Sequence, residues 1–281
     1  MIKRILLHFH NRIKMNFFTR IIDFFHQFEH PRRRRLRQQP FPMEWEVILR
    51  NKWPLWKKLK PESQEKQKKD IQVFLAEKPF EGCGGLEIND SIRVLTAAQA
   101  CLLLYGDVID NYPLLRVILV YPGKYRAKVK DILPAGVIQE GDQWRSGESW
   151  SRGHVVLAWD EVQKGAAIGH DGQNLVLHEF AHQIDSAIGI TRLTEAWVEH
   201  RAEPKSIWIK AFAEEWMNFL ENLQRGQKPM FDSYGAQNAA EFFAVTTESF
   251  IEQHREFKKQ APKLYELLTE LYCFDPNELF N

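Results

Sequence analysis

The sequence predicts an α+β fold, with helices packed around a small mixed β-sheet. Short β-branched runs lie at residues 115–121, 136–139 and 155–159, bounded by Pro or Gly. Elsewhere apolar residues recur at helical spacing. The 281 residues are 44% hydrophobic and 27% charged, enough to bury a core without disulfides or metals as staples. That composition excludes a collagen-like, fully disordered or disulfide-scaffold protein.

The elements follow in order. Phe17, Phe18, Ile21, Ile22, Phe25 and Phe28 mark a short basic amphipathic helix. Pro31 and the run Arg32, Arg33, Arg34, Arg35 and Arg37 read as a solvated linker ending near residues 40–42. From Glu44 the chain is polar and helix-friendly, with Trp53, Trp56 and Leu59 as apolar anchors. Pro61 opens a helix through Ile71, Phe74 and Leu75. Residues 81–85 are a turn and residues 92–105 a buried helix. After the third strand, Asn174 is an N-cap, residues 175–188 a helix, and Gly189 its stop. Trp208, Phe212, Trp216, Phe219 and Leu223 form the stripe of another helix, which stops at Gly226. Residues 228–235 form a loop, residues 238–254 a helix, and Leu264, Leu267, Leu268 and Leu271 mark a last one.

Charge divides the chain. Residues 1–40 hold ten basic and two acidic side chains, +8, and the rest hold 28 and 35, −7. The net charge of +1 is therefore a basic extension (1–40) cancelling an acidic body (41–281). The extension reads as an accessory segment outside the folded body. Its functional readings are peripheral contact with an anionic membrane or a nucleic-acid arm. Direct nucleic-acid binding is not expected, because no base-reading module accompanies the Arg run. Three cysteines without a CxxC pair, no apolar run of eighteen residues and no uncharged signal-peptide core predict a cytoplasmic protein.

The informative string is His178-Glu179-Phe180-Ala181-His182. On a helix, residues four apart share a face, so both imidazoles can bind one Zn²⁺ with Glu179 beside it. Zinc takes neutral nitrogen ligands and keeps a position open for water, whose proton Glu179 can accept. A third ligand is expected from a downstream helical glutamate. Candidates are Glu195, Glu199, Glu214, Glu215, Glu241 and Glu248. Glu241 stands out because it lies in the apolar stretch Glu241-Phe242-Phe243-Ala244-Val245, where a charge needs a partner. His154 and His170 read as an exposed strand-end histidine and a weak alternative ligand.

These motifs carry a resemblance. His178-Glu179-Phe180-Ala181-His182-Gln183-Ile184-Asp185, then Asp232-Ser233-Tyr234-Gly235, then Glu241-Phe242-Phe243-Ala244-Val245 resembles the Mlc titration factor A family of zinc peptidases. It extends to residues 155–159 and to Asp275-Pro276, covering about 41–281 and leaving out the basic extension. The resemblance implies a zincin-like domain with a gluzincin-type site, similar to that of anthrax lethal factor. It implies one Zn²⁺ per chain held by His178, His182 and Glu241. Glu179 is then the general base and later the acid, and Tyr234 the oxyanion donor. Asp185 is part of the matched motif and either orients a ligand imidazole or is an ordinary helix-terminal charge. Strand 155–159 is expected to pair with an extended peptide substrate. The implied activity is aminopeptidase-like peptide hydrolysis. The alternative role is an interaction protein that sequesters a transcriptional repressor, as the family's name states.

Overall fold

The structure is a computed structural model. It describes the backbone of residues 30–133, 137–145, 147–150, 153–200 and 207–280, and the side chains in those ranges apart from 125–150 and 200. The amphipathic helix expected over residues 17–28 lies outside them.

Residues up to Pro40 and from Phe41 on form separate compact units. The described part of the first is helix α1 (Pro31–Gln38), which has no buried residue. The Arg run is thus helical. Pro31 occupies the first turn, where its missing N–H costs nothing, and the His30 side chain accepts from Arg32 N–H.

The second unit is α+β and mostly helical. Its elements in chain order are α2 (Met43–Lys52), α3 (Pro54–Lys58), α4 (Pro61–Glu77), β1 (Phe80–Gly82), α5 (Asp90–Leu102), β2 (Val117–Tyr121), β3 (Tyr125–Leu133), β4 (Val137–Arg145), β5 (Gly147–Trp150) and β6 (His154–Ala158). Helices α6 (Trp159–Ala167), α7 (Leu175–Ile188), α8 (Ile190–His200), α9 (Ile207–Gln224), α10 (Ala239–Glu252), α11 (His254–Gln260), α12 (Pro262–Tyr272) and α13 (Pro276–Leu279) follow.

The main sheet has the order β1-β2-β6-β5, parallel except for β5, which runs antiparallel to β6. Val155, Val156, Leu157 and Ala158 are all buried, as befits a strand flanked on both sides. This corrects two expectations. Strand β6 is interior, because β5 pairs along it from Gly147 opposite Leu157 to Trp150 opposite His154. The edge of the sheet beside helix α7 is therefore β5. The segment read as a turn at 81–85 begins as strand β1, which pairs with β2. The strand expected at 136–139 is the start of β4, which pairs with β3 in a separate two-stranded sheet.

Two helices position the site. In α7, the Asn174 side chain accepts from Leu177 N–H, and Gly189 ends the helix in the left-handed region at φ 73°. Phe180 anchors its buried face, 4.7 Å from the Tyr112 ring and 5.8 Å from Phe74, centroid to centroid. Helix α10 packs against α7 and is buried almost all round, so it lies in the core. Its Phe242 sits among Phe212, Phe219 and Phe231.

Candidate metal centre

His178 and His182 lie one turn apart on α7 with their rings nearly perpendicular, at 82°. Glu241 comes from the first turn of α10, where the Asn238 side chain caps Glu241 N–H at 2.9 Å. The helix packing brings the three together. His178 Nε2 lies 3.0 Å from Glu241 Oε2 and 3.3 Å from His182 Nε2, and His182 Nε2 lies 3.5 Å from Glu241 Oε2. One ligand atom from each residue thus faces a common point.

These separations fit an ion. Around a tetrahedral centre with bonds of about 2.0–2.1 Å, neighbouring ligand atoms lie about 3.3 Å apart. The donor set fits as well. His178 Nδ1 lies 2.9 Å from Glu248 Oε1. When that nitrogen donates to the carboxylate, Nε2 presents its lone pair to Glu241 and His182. Three lone pairs meeting at one point repel one another unless a cation lies between them, either a metal ion or a proton on the His178 ring, which its carboxylate neighbours favour.

Burial pushes the Glu241 carboxyl up, but its bonds to His178 and His182 prevail and hold it at about 2. It is therefore anionic at any physiological pH. Burial opposes the charged form of His178, but Glu241 and Glu248 outweigh this and raise its pKa well above the ordinary value. The charge of Glu179 acts in the same direction. Glu179 itself is buried.

The Tyr234 ring centroid lies 6.0 Å from that of His178, and Tyr234 is 46% exposed. It belongs to a single 3-10 turn, Ser233–Ala236, capped by the Asp232 side chain accepting from Tyr234 N–H at 2.8 Å. That turn presses on α10. A Cβ on Gly235 would stand 2.8 Å from Val245 Cγ2 and 3.2 Å from Phe242 Cα. Only a glycine lets the turn approach this closely.

The other candidates lie elsewhere. Glu195 accepts from Ala239 N–H at the start of α10. Glu214 and Glu215 pair with Lys263 at 3.4 and 3.2 Å. Glu199 is exposed on α8. Asp185 accepts from the backbone and hydroxyl of Thr191, tying α7 to α8. The carboxylate on the His178 ring is instead Glu248, which also accepts from Asn174 N–H. Sequence reading placed Glu248 among the ligand candidates and missed this role. Its signal was present: Glu248 follows Glu241 by seven residues, two helical turns on one face. His154 is half-buried in β6, and His170 lies in the loop before α7, outside the cluster.

The model of the glucose-regulated metallo-peptidase M90 family matches residues 28–273, a span that contains the whole cluster. The chain belongs to this family. Similar proteins agree. An uncharacterized protein of Synechocystis is 36% identical over 250 residues, 87% of this chain and 89% of that protein. The Mlc titration factor A of Cronobacter sakazakii is 26% identical over 243 residues, 84% of this chain and 87% of its own length. That of Pectobacterium atrosepticum is 27% identical over 235 residues, 79% of this chain and 83% of its own. The M90 match begins at residue 28, inside the segment the resemblance was expected to leave out. It therefore includes helix α1.

Proposed function

We propose that this M90 member is a zinc peptidase with a zincin-like fold of the gluzincin type. The observation that carries the reading is the convergence of His178 Nε2, His182 Nε2 and Glu241 Oε2 on one point, with Glu179 next to His178 on the same helix. The family implies a metal, and two imidazoles with one carboxylate is a zinc donor set. Zinc held there supplies a Lewis acid and a water of lowered pKa.

The chain's residues do the rest. Glu248 fixes the His178 ring so that Nε2 faces the ligand point. Glu179 accepts the proton of the attacking water and later passes it to the leaving amine. The Tyr234 hydroxyl donates to the carbonyl oxygen as that oxygen gains charge. The backbone of edge strand β5 pairs with the extended peptide, the role the sequence assigned to β6. Amino-terminal cleavage follows from the resemblance. Zinc content tests the ligand set: the wild type holds about one Zn²⁺ per chain and His178→Ala loses it. Full retention by that variant would overturn the assignment.

The name shared by the Cronobacter and Pectobacterium relatives favours a second reading, binding of a repressor partner without catalysis. Under it, Glu241→Ala still captures the partner in a pull-down. Loss of capture in that variant counts against it.

A further inference from the structure

Asn174 is buried, and its polar groups reach three helices. Its Oδ1 accepts from Leu177 N–H at 3.1 Å, which caps α7, and its carbonyl accepts from His178 N–H at 2.9 Å. The cap accounts for only one of its side-chain polar atoms. The other, Nδ2, donates to Gln99 Oε1 on α5 and to Glu252 Oε1 on α10, each at 2.9 Å. Gln99 Nε2 donates to Leu95 O at 3.0 Å, which leaves the Gln99 oxygen as the acceptor. Gly165 on α6 closes over the Asn174 amide, since a Cβ there would stand 3.1 Å from Asn174 Cγ.

The main chain of the same residue meets the metal site. Asn174 N–H donates to Glu248 Oε2, and the other oxygen of that carboxylate lies 2.9 Å from His178 Nδ1. Glu248 and Glu252 lie four residues apart on one face of α10. Asn174 therefore holds both, Glu252 by its side chain and Glu248 by its backbone. Gly172 N–H adds a further bond to Glu252 Oε2 at 3.1 Å. A cap needs only an oxygen at this position, which Ser or Asp also supplies. Capping gives no use for the two bonds donated by Nδ2.

We infer that Asn174 is a positioning residue of the metal site, acting through Glu248. Its amide, anchored on Gln99 and Glu252, fixes the Asn174 N–H against Glu248 Oε2, and this holds Oε1 on the His178 ring. Without the anchor, the first turn of α7 shifts against α10 and Glu248 loses its fixed partner. The inference rests on His178 being a ligand, as the peptidase reading has it, but the ring's bond to Glu248 is measurable without metal.

Asn174→Ser and Asn174→Asp test it. Both keep a capping oxygen, so α7 still forms, as circular dichroism checks. Ser removes the donor arm, and Asp turns it into an acceptor facing Glu252. The first readout is the His178 Nδ1–H proton, followed by NMR on the metal-free, histidine-labelled full chain. Its charge-assisted bond to Glu248 holds the signal downfield. In both variants the signal moves upfield or is lost. The second readout is zinc affinity by chelator competition, which falls about tenfold or more. In a Glu248→Gln background, adding Asn174→Ser changes affinity by less than about twofold, because the two act in series. Combining Asn174→Asp with Glu252→Gln restores both readouts, since the new amide donates back to the new carboxylate. A wild-type signal and affinity in Asn174→Ser would overturn the proposal and leave Asn174 a cap alone. So would an equal loss of affinity with and without Glu248, or no recovery in the combined variant. A wild type that binds no zinc would defeat the peptidase reading, while the His178 proton still decides this one.

Discussion

His178 Nδ1 lies 2.9 Å from Glu248 Oε1, while Nε2 of the same ring lies 3.0 Å from Glu241 Oε2. One imidazole from α7 thus spans two carboxylates set two turns apart on α10. The first carboxylate orients the ring and the second shares its ligand point.

Replacing Glu248 separates orientation from ligation. Glu248→Gln puts an amide NH₂ against either the His178 ring N–H or Asn174 N–H, both of which Glu248 now accepts. The variant should bind zinc about 10–100-fold more weakly while His182 and Glu241 stay in place. Competition with a fluorescent chelator measures this. Wild-type affinity would contradict it.

Tyr234→Phe removes the hydroxyl and keeps the ring. Turnover should fall about 10²-fold at unchanged zinc content and little-changed KM, because the bond forms only as charge develops. A rise in KM alone would assign Tyr234 to substrate binding.

Gly235→Ala tests the contact that seats Tyr234. The added methyl would stand 2.8 Å from Val245 Cγ2, so the turn or the helix must shift. Urea denaturation should show a loss of about 1–3 kcal/mol. Turnover should fall further than stability alone explains, since Tyr234 moves with the turn.

Much of this site was legible because its signals are local. The Asn174 cap, the apolar face around Phe180 and the Gly189 stop are all encoded within α7, and the predicted bounds match the observed helix. Glu241 was legible because a carboxylate inside Phe242-Phe243-Ala244 needs a partner. Roles set by tertiary contact were not. Glu248 meets His178 across 70 residues, and Asp185 turned to Thr191 in the next helix. Strand β3 and the rest of β4 beyond the expected strand at 136–139 escaped, because among the described residues the two strands pair with each other in a sheet of their own. They lack the continuous apolar run that marked the buried strands, as Arg126, Lys128, Lys130 and Asp131 show. Helix α6 was hidden behind strand β6, since Trp159 reads as a strand residue but begins the helix.

Acid stability should depend on Asp275. Burial pushes its carboxyl up, but hydrogen bonds from Tyr265, Lys258 and Asn277 win and hold it at about 2. A depressed carboxyl stabilises the fold above its unfolded value, near 4, and loses that contribution as pH falls through about 2. Asp275→Asn should therefore cost about 1–2 kcal/mol at pH 6, and its stability should fall less steeply between pH 5 and 2.5. Urea midpoints across that range measure both. Parallel pH profiles would contradict the assignment.

The most direct test of the central claim is peptide turnover by the wild type and by Glu179→Gln, both loaded to one zinc per chain. The amide can accept no proton from water, so turnover should fall by 10² or more while zinc content is unchanged. Equal turnover by the two proteins would contradict the account.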